Sequence, residues 1–538
     1  MPNQPVIDQS EAKRPAIDLD GLVEMRQQVE AEVVHERQAL ATKKEQESIP
    51  SKEVLAALNA NEDGDARLFI RLLGNRFRFD RAAGQWYVWK GHYWALDSLG
   101  ESSEAVTCVI EVYKAEAENQ TALISKAREK GRTEDARAHE TLLQSLSRRI
   151  NALQGLSRKN NLLQLASRGR DSMGIAGDEW DLRPWLLGCP NGTINLKDGS
   201  FRDGKQDDCI KTVSPTPWKS LDEAAPIWDR FLYDIFGEDT ELIEYLQRLL
   251  GYSITGLIRE HILPIFWGQG RNGKGTLLET LAFVLGDLAG PIRSETLLQR
   301  TGPTSSSGPN SDVMALRGKR LVWGSETDEG KAFDLSKVKW LTGGDTLVGR
   351  PPYGKREISF KPTHTLFMLT NHKPRADSYD YAFWRRARLI PFEYSFVYEP
   401  KAANERECDT QLGEKLRREA SGILAWLLRG RLKWQQYGLK PSKKVLEATE
   451  HYRQDEDIFG HFLEDCCELD EKANTQAGEL YKAYQRWCSE NGHKPFSSTR
   501  FGKLMKDRFP HKKSGCVYYE GVCLSSSYPQ EREMEQFF

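Results

Sequence analysis

The spacing of apolar and polar positions changes several times along the chain. Residues 1–60 read as a charged N-terminal arm rich in Glu, Lys, Gln and Ala. Within it, 18–47 suit a solvated helix or disorder equally. Over 76–97 aromatics alternate with polar residues and Ala82-Ala83-Gly84 breaks the run, which predicts a β-hairpin and a further strand. Its Trp86, Trp89, Tyr93 and Trp94 suit either the core of a small sheet or a stacking platform for bases. Residues 101–170 have helical spacing, with Gly131 at a turn between two helices. Asn191-Gly192 and Lys197-Asp198-Gly199 mark turns between short β runs. Residues 228–251 predict two helices that feed an apolar run, 262–267 (ILPIFW), of the kind a buried strand makes. After Asp455 three helical stretches precede HKKSGCVYYEGVCL, which predicts a two-stranded wing.

The chain is organised around GQGRNGKGT, Gly268 to Thr276, between the 262–267 strand and a helix over 277–285. Strand, glycine loop and helix are the setting of a phosphate-binding loop. Gly268, Gly270, Asn272, Gly273, Lys274, Gly275 and Thr276 are the candidate ATP contacts. The glycines let backbone N–H groups turn toward phosphates, the helix N-terminus adds partial positive charge, and Lys274 adds a full one. The bland alternative is a glycine-rich turn with a surface lysine. The residue after the lysine ordinarily brings a hydroxyl to Mg²⁺. Here it is Gly275, with the hydroxyl one place later on Thr276. Either Thr276 takes that role or the ion leans on carboxylates downstream.

Further candidates follow in order. Residues 302–310 (GPTSSSGPN) read as a flexible loop. A short strand at 320–323 leads to Glu326, a carboxylate suited to hold Mg²⁺ and orient an attacking water. Asp328 and Glu329 are its alternatives, Ser325 stands where many ATPases carry a second acid, and an exposed acidic turn is the bland reading. A helix before Gly343-Gly344 precedes two strands, with Arg350, Tyr353, Lys355 and Arg356 about their tip. Those four can grip a phosphate backbone or form an ordinary turn. The strand THTLFMLTN ends in Asn371, placed to hydrogen-bond a γ-phosphate or the attacking water. In YAFWRRARLIPF, Arg385, Arg386 and Arg388 are candidates for a finger reaching a neighbour's nucleotide, with structural salt bridges as the alternative. In the third C-terminal helix, Arg500, Lys503, Lys506 and Arg508 suit the DNA major groove, or the domain makes protein contacts only.

Composition narrows the class. A chain of 538 residues needs several domains. With 39% hydrophobic and 29% charged residues it reads as soluble, without a membrane span or a signal-peptide core. A net charge of −2 leaves nucleic-acid contact to local basic patches. Nine cysteines without a C-x-x-C pair fit buried thiols in a reducing cytoplasm.

The ordered series GQGRNGKGT, RLVWGSETDEG, KWLTGGDTLVGR, THTLFMLTN and FWRRARLIPF resembles the superfamily 3 DNA helicases, above all the phage and plasmid primase-helicases related to the poxvirus helicase-primase. Upstream, CPNGTINLKDG through EYLQRLLGYSITG resembles the domain that precedes the motor in that family. The resemblance implies an α/β fold: an AAA+-type P-loop ATPase core, an α+β N-terminal domain and a C-terminal winged helix. It also implies ATP and Mg²⁺ as cofactors, a ring that is usually a hexamer, and 3′→5′ movement on single-stranded DNA. By matched motif, Lys274 is the phosphate lysine, Glu326 the catalytic acid, Asn371 the sensor and Arg385 or Arg386 the finger. Arg350, Lys355 and Arg356 fall where the family carries its pore hairpin.

The expected domains are the 1–60 arm, a 61–225 pre-motor domain, a 226–400 motor with its preceding helices, a 401–455 helical connector and a 456–538 winged helix. The expected function is a replicative helicase of a phage, satellite or plasmid, acting on single-stranded and forked DNA in a bacterial cytoplasm. An origin-melting initiator and a nucleotide-gated AAA+ regulator are the rivals. Asp63-Gly64-Asp65 is a lone D-x-D of the kind a primase metal site uses. Fewer than about 100 residues precede the pre-motor domain, too few for a typical polymerase-type fold. The D-x-D is therefore expected in a loop or helix cap, with a primase acting in trans.

Overall fold

The computed structural model describes residues 49–299, 311–325, 330–350 and 357–525. The expected helix at 18–47, the 302–310 loop, Glu326, Asp328, Glu329, Tyr353, Lys355 and Arg356 lie outside them. The chain forms two compact units. One runs to Val88 and resumes over Leu96–Ala176; the other comprises Trp89–Ala95 and the chain from Gly177 onward.

The first unit begins with α1 (Ser51–Asn59) and α2 (Asn61–Leu73). Within the stretch read as a charged arm, α1 is thus a packed helix, because Val54, Ala57 and Leu58 share one face and are buried. Gly64 allows the close approach of the two helices: a Cβ there would lie 1.8 Å from the Ala57 carbonyl oxygen. Strand β1 (Phe77–Asp80) pairs antiparallel with β2 (Gln85–Trp89), as the alternating aromatics predict. The long helices α3 (Thr107–Glu129) and α4 (Thr133–Gln154) flank a turn in which Gly131 has φ +69°, and α5 (Leu156–Ala166) follows. Strand β3 (Gly174–Ile175) then adds parallel to β1.

The D-x-D is neither a loop nor a helix cap. It lies inside α2, where residues two apart point roughly 200° from each other. Asp63 is exposed and Asp65 fully buried. Asp65 accepts from Tyr113 Oη at 2.8 Å, Arg149 Nη1 at 2.6 Å and Arg158 Nη2 at 2.7 Å. Two arginines of the helical 101–170 stretch are thereby committed to the interior. Charges at the centre of a unit need such partners, since an unpaired buried carboxylate costs several kcal/mol.

In the second unit, hairpin β4 (Leu186–Cys189) and β5 (Gly192–Asn195) precedes α6 (Pro226–Phe236) and α7 (Thr240–Ser253). Trp94 is fully buried, its ring 5.2 Å from Trp89 and 6.2 Å from Trp180, so it serves the core rather than a stacking platform. Next come β6 (Leu263–Trp267), α8 (Lys274–Leu285), β7 (Ala289–Ile292), β8 (Leu321–Ser325) and α9 (Leu335–Thr342). The small hairpin β9 (Leu347–Gly349) and β10 (Ile358–Phe360) follows, then β11 (Thr365–Thr370), the one-turn α10 (Tyr381–Trp384) and β12 (Ala387–Pro391).

Five of these strands form one sheet in the order β12-β6-β11-β8-β7, with every neighbouring pair parallel. Both faces are covered, which explains the continuous apolar runs. Phe266, Phe367 and Ile390 point into a core shared with α6, α7, α8 and α11 (Ala420–Tyr437). Ile265, Met368 and Leu389 point into a second core that includes Leu341 of α9 and Tyr452 of α12 (Lys443–Asp455). Each such side chain contributes roughly 2 kcal/mol on burial.

The C-terminal module is α13 (Ile458–Cys466), β13 (Asn474–Gln476), α14 (Ala477–Glu490), α15 (Ser498–Arg508), β14 (His511–Ser514) and β15 (Cys516–Glu520). Its strands pair antiparallel in the order β13-β15-β14, and an aromatic core around Phe462, Tyr484 and Phe501 holds the helices. Among the described residues no helix is long and apolar enough to cross a membrane.

Candidate active site

In an open parallel sheet, ligands bind beyond the carboxyl ends of the strands. At that edge of β6 the chain turns through Gly268 to Gly273 and enters α8 at Lys274. Two glycines are sterically required. A Cβ on Gly268 would lie 2.2 Å from the Phe392 carbonyl oxygen, and Gly273 has φ +85° with Ile235 packed against it. Asn272 is buried and donates to the Phe392 carbonyl at 3.3 Å, and Phe396 N donates to the Arg271 carbonyl at 2.7 Å. The loop is thus anchored by the segment that follows β12. Gly275 is different: a Cβ there meets nothing within 4 Å, so space does not account for the missing hydroxyl. Thr276 is half-buried in the first turn of α8.

Lys274 is the focus of this edge. Its amine is buried and donates to the carbonyls of Gly268 at 2.5 Å and Gln269 at 3.3 Å. A third acceptor, Asn371 Oδ1 at 3.2 Å, arrives from the end of β11, the strand beside β6. Burial lowers the amine's pKa to about 8. A loop that spends two main-chain carbonyls on one desolvated ammonium fits an anionic ligand in their place. The exposed Ser325 ends β8 one strand further along.

The arginines lie elsewhere. Arg386 and Ala387 stand at the amino end of β12, against Leu263 at the start of β6. Roughly 13 Å of strand separates that end from the glycine loop. Arg385 is exposed, with its guanidinium 5.6 Å from the Tyr381 ring centre. Arg386 donates to the Ala382 carbonyl at 2.7 Å, and Arg388 to the carbonyls of Arg385 and Ala387. These three are therefore not gathered with Lys274 and Asn371 in one chain. Arg350 is half-buried after β9.

On α15 the basic residues divide. Lys503 and Lys506 are exposed. Arg500 donates to Asp377 at 2.5 Å, and Arg508 to Asp457 at 3.0 Å and Tyr379 Oη at 3.1 Å. In β14, Lys512 pairs with Glu520. Sequence reasoning missed Asp377 and Tyr379, whose arginine partners are more than a hundred residues away along the chain, beyond any local pattern.

Residues 66–237 match the family described as D5 N terminal like. A candidate helicase of Acanthamoeba polyphaga mimivirus is 32% identical over 331 residues, covering 58% of this chain and 34% of that protein. The chain resembles the D5-like primase-helicases. A candidate helicase of frog virus 3 is 30% identical to this D5-like chain, covering 42% of it and 24% of the viral protein. A candidate primase of African swine fever virus is 25% identical, covering 58% and 34%. The D5-like chain thus spans about a third or less of the length of these relatives. Residues 266–386 match a family of unknown function, and residues 456–515 match the RFX DNA-binding domain. Among solved structures, the apo C-terminal region of NrS-1 is 15% identical with a TM-score of 0.36, over 57% of this chain and 79% of that one.

Proposed function

We propose that this chain carries the motor of an ATP-dependent DNA helicase, with an AAA+-type P-loop core of superfamily 3 and a C-terminal winged helix. The observation that carries the reading is the convergence of the Lys274 amine and the Asn371 amide beyond the carboxyl ends of two adjacent parallel strands. Lys274 would leave its two carbonyls for the β- and γ-phosphates, and Asn371 would orient the attacking water. Bound Mg²⁺ would neutralise phosphate charge, with Thr276 and Glu326 as its protein ligands. The sheet order supports the AAA+ assignment, because the glycine-loop strand β6 sits between β12 and β11 and both neighbours contribute to the loop's rim.

The distance of Arg385 and Arg386 from their own loop supports assembly into a ring, probed first as a hexamer. In a ring, an arginine can complete the site of the adjacent subunit. The Arg350 hairpin, with Tyr353, Lys355 and Arg356, would then face the strand in the pore. A replicative role in a virus or other mobile element fits the relatives' names, and priming would be supplied in trans. The exposed lysines of α15 favour one second reading, an initiator that melts DNA without processive unwinding.

The test is unwinding of forked duplexes bearing a 3′ or a 5′ loading tail. Unwinding from the 3′ tail alone, lost in Lys274→Ala and in Arg386→Ala, is the expected result. ATP hydrolysis without unwinding would favour the initiator. Hydrolysis that survives Lys274→Ala would overturn the site itself.

A further inference from the structure

Between Asn371 and Arg385 the chain runs through a segment, 372–380, tied to its surroundings at nearly every residue. On one side it is held by the C-terminal module. Asp377 accepts from Arg500 at 2.5 Å, and Tyr379 Oη donates to Asp457 at 2.9 Å while accepting from Arg508. On the other side it is tied to α9 and α10. The Asp377 carbonyl accepts from Trp384 Nε1 at 2.8 Å, and Asp380 caps α10 while pairing with Lys339 of α9 at 2.8 Å. The same segment therefore follows the Lys274 partner, precedes the exposed Arg385 by the single turn of α10, and carries one ion pair and the Tyr379 hydrogen bonds to the C-terminal module.

The Arg500–Asp377 pair is only partly covered, its side chains retaining 38% and 29% of their exposure. Arg500 also lies one helical turn before Lys503, on the α15 edge that borders the free lysines. A nucleic-acid backbone resting on Lys503 and Lys506 would bring phosphate oxygens beside Arg500. A guanidinium binds phosphate in two-pronged fashion at least as readily as it binds a carboxylate. Phosphate and Asp377 would then compete for one group.

We propose that residues 372–380 couple the C-terminal module to the ATPase site, with Arg500–Asp377 as a clasp that a nucleic-acid phosphate opens. The inference rests on the ATPase reading above. Arg500 and Asp377 act in it as positioning residues: they touch no nucleotide but set where Asn371 and Arg385 stand.

The experiment measures phosphate release by the full chain with and without oligo-dT and with a duplex of unrelated sequence. The wild type is expected to be stimulated at least about fivefold, the lower end of ordinary coupling. Asp377→Asn is expected to raise the DNA-free rate toward the stimulated one, so that the ratio falls to near one. Arg500→Asp combined with Asp377→Arg restores an ion pair. It is expected to return the DNA-free rate to the wild-type level while stimulation stays lost, because position 500 then offers phosphate no guanidinium. A merely structural pair would instead regain both. A wild type indifferent to both DNAs, or a stimulation ratio in Asp377→Asn equal to the wild type's, overturns the coupling. Persistence of turnover in Lys274→Ala overturns the ATPase reading instead, so the two failures are distinguishable.

Discussion

Lys274 and Asn371 are 97 residues apart in sequence, and the Lys274 Nζ lies 3.2 Å from the Asn371 Oδ1. The contact joins the first turn of α8 to the end of β11, and it predicts a division of labour. Lys274→Ala should lose nucleotide binding and turnover together, because its charge meets phosphate in the ground state as well as the transition state. Asn371→Ala should bind nucleotide within about threefold of wild type but turn over about a hundredfold more slowly, the usual cost of one lost oriented polar group. Equilibrium titration beside steady-state phosphate release separates the two. Equal losses of binding in both variants would remove Asn371 from the chemistry.

Burial lowers the Lys274 pKa to about 8 from its ordinary value of 10.5, which gives nucleotide binding a signed pH dependence. Below pH 8 the amine is already charged. Between pH 8 and 10.5 it is neutral in the empty loop, and phosphates draw a proton back onto it. The dissociation constant should therefore rise with pH in that window, by up to about tenfold per unit. For folding the same group has the opposite sign. The folded chain binds fewer protons than the unfolded one, so this contribution to stability is present above pH 10.5 and lost as pH falls through 8. Calorimetry at pH 8.5 in two buffers of different ionisation enthalpy should detect proton uptake on nucleotide binding. No uptake would mean the amine keeps its charge in the empty loop.

The open space at Gly275 makes the magnesium ligand testable. Thr276→Ala should raise the Mg²⁺ concentration needed for half-maximal turnover by about tenfold, the cost of one lost ligand or its orienting partner. Gly275→Ser, which adds a hydroxyl one position earlier with no clash and a better helix former, should recover most of that loss. If Thr276→Ala leaves the Mg²⁺ requirement unchanged, the ion rests on downstream carboxylates.

Donors from three residues on one buried carboxylate make Asp65 a sensitive polar position of the first unit. Asp65→Ala strands Arg149 and Arg158 and should destabilise the unit by about 3–5 kcal/mol. Asp63→Ala, on the exposed side of α2, should stay within about 0.5 kcal/mol of wild type. Urea unfolding followed by circular dichroism measures both. A primase-type metal pair would make the two substitutions alike.

How far the sequence was legible depended on the range of the interaction. The β6 strand, the glycine loop and α8 were plain because each is specified by its own neighbours: a run of apolar residues, glycines where Cβ cannot fit, and helical spacing after Lys274. The same holds for the β1–β2 hairpin and the three helices of the C-terminal module. Asp65 was misjudged because a buried salt bridge has no local signature. A D-x-D looks alike whether it meets a metal or two arginines more than eighty residues away. Arg500 and Arg508 looked like groove-reading residues for the same reason, since only the fold brings Asp377 and Asp457 beside them.

With Arg500 and Arg508 bound to carboxylates, Lys503 and Lys506 are the exposed cations of α15 that pair with no carboxylate among the described residues. If the module holds DNA, those two meet phosphate. Lys503→Ala with Lys506→Ala should weaken binding to all sequences alike and flatten the plot of log affinity against log salt by about 2, roughly one per lysine. Arg508→Ala should scarcely change that slope. It should instead loosen α13 and the 372–380 segment, because Asp457 and Tyr379 lose their shared partner. Fluorescence anisotropy over a salt series reads the slope, and limited proteolysis reads the loosening. A slope unchanged in the double lysine variant would mean that this face meets protein rather than nucleic acid.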